Sequence, residues 1–163
     1  MKIISPYQAK MATPFGVIGI RCTEDALTGI DFLGCDDPPQ VPAPPQVPDS
    51  PFSQTVCEQL TAYFNDADFQ FTLNLGFVGT DHQRKVWKAM CAIPRGQTRQ
   101  YGELAKELAS SPRAVGQACG ANAIPVVIPC HRIVSKAGMG GFAHHSNGYT
   151  LEIKRWLLAH EQH

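Results

Sequence analysis

The residues best placed to do chemistry stand together in the run Ile124-Pro125-Val126-Val127-Ile128-Pro129-Cys130-His131-Arg132-Ile133-Val134. A thiol, an imidazole and a guanidinium follow one another near the middle of an apolar stretch. Unpaired polar groups cost free energy in a core, so three in succession argue for a cysteine held away from bulk water with a base and a cation beside it. Such a set offers nucleophilic chemistry. The thiolate is the reactive form, a free thiol near pKa ~8.5 is only slightly ionised at neutral pH, and an adjacent base raises the reactive fraction. The same residues also fit a plain core, because free cysteine usually packs as a small hydrophobe and a single Cys–His pair does not define a nucleophile. If the run is a strand, Cys130 and His131 point to opposite faces, and their cooperation requires a turn at Pro129 or a bridging water.

The elements that must position these residues are mostly helical. Residues 81–92 read as a helix with Val86, Trp87, Met90 and Cys91 inward, closed by Ile93-Pro94-Arg95-Gly96. Residues 102–109 form a second helix, and Ser110-Ser111-Pro112 is a turn and cap. Residues 113–121 form a third, built almost wholly of small side chains: Ala114, Val115, Gly116, Ala118 and Gly120. Two short helices joined by a tight turn give the pattern of a helix-turn-helix. Glycine and alanine cannot read base edges, but they let a helix approach another backbone closely; close internal packing is the alternative use. Arg113 sits in that helix's first turn, where the helix dipole disfavours a cation, which suggests a use outside the helix. Residues 135–150 read as a Gly- and His-rich loop of the length that often covers a site. Residues 151–161 form a closing amphipathic helix.

The first half differs. Residues 17–21 and 27–33 are β-rich runs, preceded by an extended segment and the turn Thr13-Pro14-Phe15-Gly16, and they suggest a small antiparallel sheet. Residues 36–51 carry seven of the thirteen prolines, which excludes helix and central strand and indicates a surface spacer of polyproline character. Ser50-Pro51 opens a helix with Val56, Leu60, Tyr63 and Phe64 on its apolar face. Residues 69–73 read as a further strand. The expected fold is therefore α+β: an antiparallel sheet plus helix over residues 1–78, then a mostly helical domain over 79–163.

Net charge is zero overall but uneven. Residues 1–80 hold 3 Lys+Arg against 9 Asp+Glu, and residues 81–163 hold 11 against 5. All six histidines also fall in the second part. A basic, anion-facing half joined to an acidic half is the resulting expectation. No run approaches the ~18 apolar residues of a membrane span, and the first residues lack a signal-peptide core. A cytoplasmic address with six reduced cysteines follows. Their spacing contains no C-x-x-C pair, so no zinc site is expected.

Taken together the motifs resemble the O6-alkylguanine-DNA alkyltransferases (methylated-DNA–protein-cysteine methyltransferases). The resemblance rests on Pro129-Cys130-His131-Arg132-Ile133-Val134, on Ile93-Pro94-x-Gly96-x-Thr98-x-x-Tyr101-x-x-Leu104-Ala105, on Pro112-Arg113-Ala114-Val115-Gly116, on Asn122, and on Trp156-Leu157-Leu158-x-His160-Glu161. It is strong over residues 81–161 and general in pattern before them. It implies a ribonuclease H-like N-terminal domain and a winged-helix-like C-terminal one. It also implies direct repair of O6-alkylguanine, and of O4-alkylthymine, by base flipping and irreversible single transfer to a cysteine. Cys130 would be the acceptor, His131 a base acting through water, Glu161 its orienting carboxylate, and Asn122 the hinge to the helix-turn-helix. Arg113 would enter the duplex in place of the flipped base. Tyr101 would press on the phosphate and line the pocket. Thr98, Ala114, Gly116, Gln117 and Gly120 would meet DNA in the minor groove, and Val134, Phe142 and Ala143 would line the base pocket.

Departures from the family pattern are His82, where Phe is usual, Ala123, where Pro is common, and Phe142, where Tyr is frequent. Some relatives hold zinc in the N-terminal domain; Cys22 is roughly placed for it, but Ser5 and Thr28 stand where ligands would be wanted, so neither metal nor cofactor is expected. The partner is duplex DNA, with no membrane, and the expected state is a monomer. Competing classes are the alkyltransferase-like binders, which carry Trp where Cys130 stands, a redox-sensing helix-turn-helix regulator, and a cysteine hydrolase, which would need an oxyanion hole.

Overall fold

The computed structural model describes residues 6–33, 45–138 and 148–162. The chain divides into two compact units, Met1–Phe77 and Val78–His163. No helix among the described residues is long and apolar enough to cross a membrane.

In the first unit, β1 (Ala9–Thr13), β2 (Gly16–Cys22) and β3 (Leu27–Phe32) form an antiparallel sheet in that order. The β1–β2 turn closes where Thr13 Oγ1 donates to Gly16 O at 2.6 Å and Gly16 takes φ +118°, a conformation open to glycine. Helix α1 (Pro51–Asn65) starts at a reciprocal Ser50/Ser53 capping box with Pro51 in its first turn, which satisfies otherwise orphaned N–H groups. Its buried Val56, Leu60 and Tyr63 join Ile18, Ile20, Leu27 and Ile30 of the sheet in the core. Of the proline-rich segment, residues 36–44 lie outside the described residues. Gln46 pairs antiparallel with Lys10 and so caps the outer edge of β1.

The strand expected at residues 69–73 does not form. The segment keeps strand-like alternation of burial, but its backbone bonds to a side chain: Thr72 N donates to Gln59 Oε1 at 3.0 Å and Gln59 Nε2 donates to Thr72 Oγ1 at 2.9 Å. Phe71 packs on Tyr63 instead of extending the sheet. Only Leu75 reaches the sheet, as a parallel bridge to Leu27. Alternation reports a half-buried extended chain, not the partner that receives its hydrogen bonds.

The second unit contains α2 (Asp81–Cys91), β4 (Arg99–Gln100), α3 (Tyr101–Glu107), α4 (Pro112–Gly120), a single 3-10 turn (Cys130–Arg132), β5 (Ile133–Val134) and α5 (Gly148–Glu161). Helix α2 has a reciprocal Thr80/Gln83 capping box. Val86, Trp87 and Met90 face inward as expected, but Cys91, the helix's last residue, is exposed. Trp87 Nε1 donates to Ala118 O at 2.7 Å and Cys119 Sγ approaches Met90 Sδ at 3.5 Å, so α2 carries α4. Helix α3 ends with Ala109 in the left-handed region at φ +52°, while Ser110 N donates to Ala105 O and Ala109 N to Lys106 O. That is the paired bonding of a Schellman cap. Ser111 then caps α4, accepting from Ala114 N at 3.1 Å, with Pro112 in the first turn. His82 bonds Ser110 at 2.7 Å and pins the turn between the two helices.

Candidate functional site

The segment around Cys130 is not a strand until Ile133. Pro129 takes φ −80° and ψ 68° and Cys130 N donates to Ile128 O at 2.8 Å, which is an inverse γ-turn. The chain then winds into the 3-10 turn, so Cys130 and His131 need not point to opposite faces. Both are buried, at 5% and 0% exposure. Asn122, also buried, holds the preceding loop from both sides. Its Nδ2 donates to Ile128 O at 2.9 Å and its Oδ1 accepts from Ile124 N at 3.0 Å. Between these points Val126 has φ +75°, a strained conformation for a β-branched residue.

Glu161, at the end of α5, completes the cluster. Its Oε2 lies 3.0 Å from His131 Nε2. Arg132 grips the same carboxylate with two donors, Nε to Oε1 at 3.0 Å and Nη2 to Oε2 at 2.7 Å, and sends Nη1 to Ile93 O at 2.6 Å. Burial pushes the Glu161 carboxyl up, but the hydrogen bonds and charges of His131 and Arg132 outweigh it and hold the group well below the usual carboxylate range. Glu161 is therefore an anion, and His131 Nε2 must carry the hydrogen. Burial, assisted by the charges of Arg132 and Lys154, lowers the His131 pKa against the opposing pull of Glu161. The ring is thus neutral near pH 7, with its lone pair on Nδ1. That nitrogen is buried and has no hydrogen-bond partner among the described residues.

Two further groups converge here. Strands β4 and β5 pair in parallel, Arg99 with Ile133 and Gln100 with Val134, which brings Tyr101 beside the 3-10 turn. Burial, and then the charges of Cys119 and Cys130, push the Tyr101 phenol up to about 12, so it is a standing donor. Lys154 of α5 is buried and donates from Nζ to Ile133 O at 2.7 Å. Burial brings it down to about 8 against the raising influence of the Cys130 and Cys119 thiols. The sequence reading missed Lys154 as part of an amphipathic helix. Its separation of seven from Glu161 puts both on one helix face, a signal that was available.

At the other described cysteines desolvation of the sulfur disfavours the thiolate. Burial raises Cys22 and Cys91, takes Cys57 to about 11 and takes Cys119 to about 12.

The structure separates the remaining candidates. Val115, Ala118 and Cys119 bury one face of α4, while Arg113 and Gln117 are exposed and Ala114, Gly116 and Gly120 are half-buried on the other side. A methyl built on Gly116 would meet no atom within 4 Å. Internal packing therefore does not demand that glycine, which disfavours the tightly packed alternative. Arg113 makes no hydrogen bond or ion pair among the described residues, and Thr98 is exposed. Val134 is half-buried in β5. Phe142 and Ala143, with most of the expected covering loop, lie outside the described residues; residues 135–138 form a tight turn closed by Ser135 and Gly138.

The chain is thus of the α+β class, with a helix-turn-helix and a buried Cys–His–Glu set in its second unit. Two family models match it. Residues 7–77 match the ribonuclease-like domain, and residues 81–163 the DNA binding domain, of 6-O-methylguanine DNA methyltransferase. A methylated-DNA–protein-cysteine methyltransferase of Methanosarcina barkeri is 36% identical over 159 residues, covering 96% of this chain and 97% of that one. A probable one from Acanthamoeba polyphaga mimivirus is 44% identical over 106 residues, covering 63% and 68%. The crystal structure of the Mycobacterium tuberculosis O6-methylguanine methyltransferase superposes with TM-score 0.77 at 31% identity, covering 94% of this chain and 90% of that one. A complex of the protein from that organism with DNA gives 0.75 at 32% identity, covering 94% and 91%. The chain belongs to the 6-O-methylguanine DNA methyltransferase family.

Proposed function

We propose that this protein repairs O6-alkylguanine in duplex DNA, and O4-alkylthymine with it, by moving the alkyl group once and irreversibly to Cys130. The observation that carries the assignment is the 3.0 Å contact of His131 Nε2 with Glu161 Oε2, opposite a buried and unpartnered Nδ1. Glu161 accepts a hydrogen bond from Nε2–H, and the basic Nδ1 is left over in the buried cluster that contains Cys130. In the proposed step the Cys130 proton passes through a water to Nδ1. The thiolate attacks the alkyl carbon, a C–S bond forms, the C–O6 bond breaks, and its electron pair stays on the departing guanine. Tyr101, a neutral phenol, donates a hydrogen bond to that purine. Lys154 supplies a nearby positive charge that favours the thiolate.

DNA engagement falls to the unit from residue 78 onward. The open face of α4 lies in the minor groove, with Ala114, Gly116, Gln117 and Gly120 against the backbone and Thr98 on a phosphate. Arg113 fills the gap left by the flipped nucleotide and offsets part of the few kcal/mol that extrusion costs. Val134, with Phe142 and Ala143, lines the base pocket. Asn122 ties the helix-turn-helix to the acceptor segment. The protein acts as a monomer in the cytoplasm. The test is a titration of radiolabelled O6-methylguanine duplex against protein. One methyl is transferred per molecule and the reaction then stops; continued turnover contradicts the proposal.

A further inference from the structure

Arg132 stands next to the base and the acceptor, yet the mechanism above gives it no task. Three of its donors are committed: two grip the Glu161 carboxylate edge-on and the third holds Ile93 O. A planar guanidinium matched to both oxygens is the strong, orienting form of this contact. Arg95 Nη1 donates to the backbone O of Glu161 at 2.8 Å, and Gln162 Nε2 to Gly96 O at 2.9 Å. The turn after α2 and the end of α5 are thereby clamped around the carboxylate. Glu161 Oε2 is shared between Arg132 and His131, so the two compete for the same negative charge.

We propose that Arg132 is a positioning residue for alkyl transfer: by occupying both oxygens of Glu161 it makes the carboxylate an anchor rather than a proton acceptor, so that the proton leaving Cys130 stops on His131 Nδ1. The inference rests on the assignment of Cys130 as acceptor. A carboxylate free of the guanidinium would pull harder on the Nε2 hydrogen and would make the ring a stronger base, occupied by a proton to higher pH. The bidentate grip caps that effect, and the adjacent positive charge opposes imidazolium directly. Among the described residues, the other charged or titratable neighbours of the cluster include Lys154 on α5, Arg95 on the turn, Cys91 on α2, Tyr101 on α3 and Cys119 on α4. Burial pushes Tyr101 and Cys119 up to about 12 and brings Lys154 down to about 8, so the acidic limb of the rate is left to His131, whose pKa burial lowers.

The experiment compares single-turnover methyl transfer from O6-methylguanine duplex across acidic to alkaline pH for the wild type, Arg132→Lys and Arg132→Gln. Transfer to Cys130 in the wild type checks the function itself, independently of Arg132. In Arg132→Gln the acidic limb moves to higher pH. Its rate on that limb falls about tenfold relative to its own alkaline plateau for each unit of displacement. Arg132→Lys, a point charge able to hold one oxygen, lies between the two. Nitrogen-15 NMR of His131 shows the ring protonating at higher pH in the same order. A merely structural role lowers the plateau and leaves the limb where it was, and that result overturns the proposal. Should Arg132→Gln fail to fold, Arg132→Lys alone decides, because a limb and NMR titration identical to wild type overturn it equally.

Discussion

Asn122→Ala is the perturbation whose cost can be worked most directly from the structure. The amide spans the loop before the acceptor, taking Ile124 N at 3.0 Å and giving to Ile128 O at 2.9 Å. Ile128 O keeps a second donor, Cys130 N at 2.8 Å. The substitution therefore leaves one buried backbone N–H, that of Ile124, without its partner, and weakens one carbonyl. An orphaned buried donor costs about 1–3 kcal/mol and a lost neutral hydrogen bond about 0.5–1.5 kcal/mol. The expected destabilisation is about 2–4 kcal/mol, or roughly 4–16 °C in Tm for a chain of this size. Asn122→Asp provides the internal control. It retains an acceptor for Ile124 N but sets an oxygen against Ile128 O, so it spares the first term and worsens the second. Urea unfolding and single-turnover transfer are measured on the same samples. The rate falls with stability, because the strained Val126 turn and the γ-turn at Pro129 depend on the same tether. If Asn122→Ala unfolds and reacts like wild type, the tether does not hold the acceptor and the reasoning is refuted.

Acid destabilises the protein in two stages. The folded His131 value lies below its ordinary 6.5, so between those values the unfolded chain binds a proton that the folded one refuses. That stability is complete above about pH 6.5 and is lost as pH falls through the window below it. Glu161, held below its ordinary 4.5, adds a second loss as pH falls below about 4.5. Urea unfolding energies that stay flat from about pH 7 to about pH 4 contradict this account. Arg113→Ala slows repair in duplex DNA far more than transfer from the free base O6-methylguanine; equal loss on both removes the duplex-filling role. Ala109→Gly relieves a left-handed alanine at the end of α3 and raises stability by about 1 kcal/mol in thermal unfolding; a lower Tm shows that the cap is not strained.

Local chemistry made much of the fold legible. Ser50-Pro51 and Ser110-Ser111-Pro112 announce helix starts because side-chain oxygens must satisfy the first N–H groups, and α1 and α4 begin there. Residues 17–21 and 27–33 are legible as strands because β-rich runs flank a polar turn, and β2 and β3 form there. Partnership at a distance was not legible. Residues 69–73 have the right alternation and the wrong partner, since Gln59 intercepts their backbone. The β4–β5 pair is two residues long, too short to carry a pattern, yet it is what brings Tyr101 to the cluster. The apolar run to Val134 leaves strand and turn both open, and the structure takes the turn at Pro129, followed by the 3-10 turn. Cys130, His131 and Glu161 were marked by residue type and by resemblance, and the structure brings them into one buried cluster. Lys154 was marked by nothing but its spacing of seven from Glu161, because a lysine on a terminal helix ordinarily means a solvated face, and here it is buried.

The central claim is tested most directly by peptide mass spectrometry of the protein after reaction with a duplex carrying one O6-methylguanine. The account predicts one added methyl, on Cys130 and on no other cysteine, with Cys119 unmodified although its thiol is electrostatically coupled to that of Cys130. A methyl on Cys119, or repaired DNA with Cys130 still a free thiol, contradicts it.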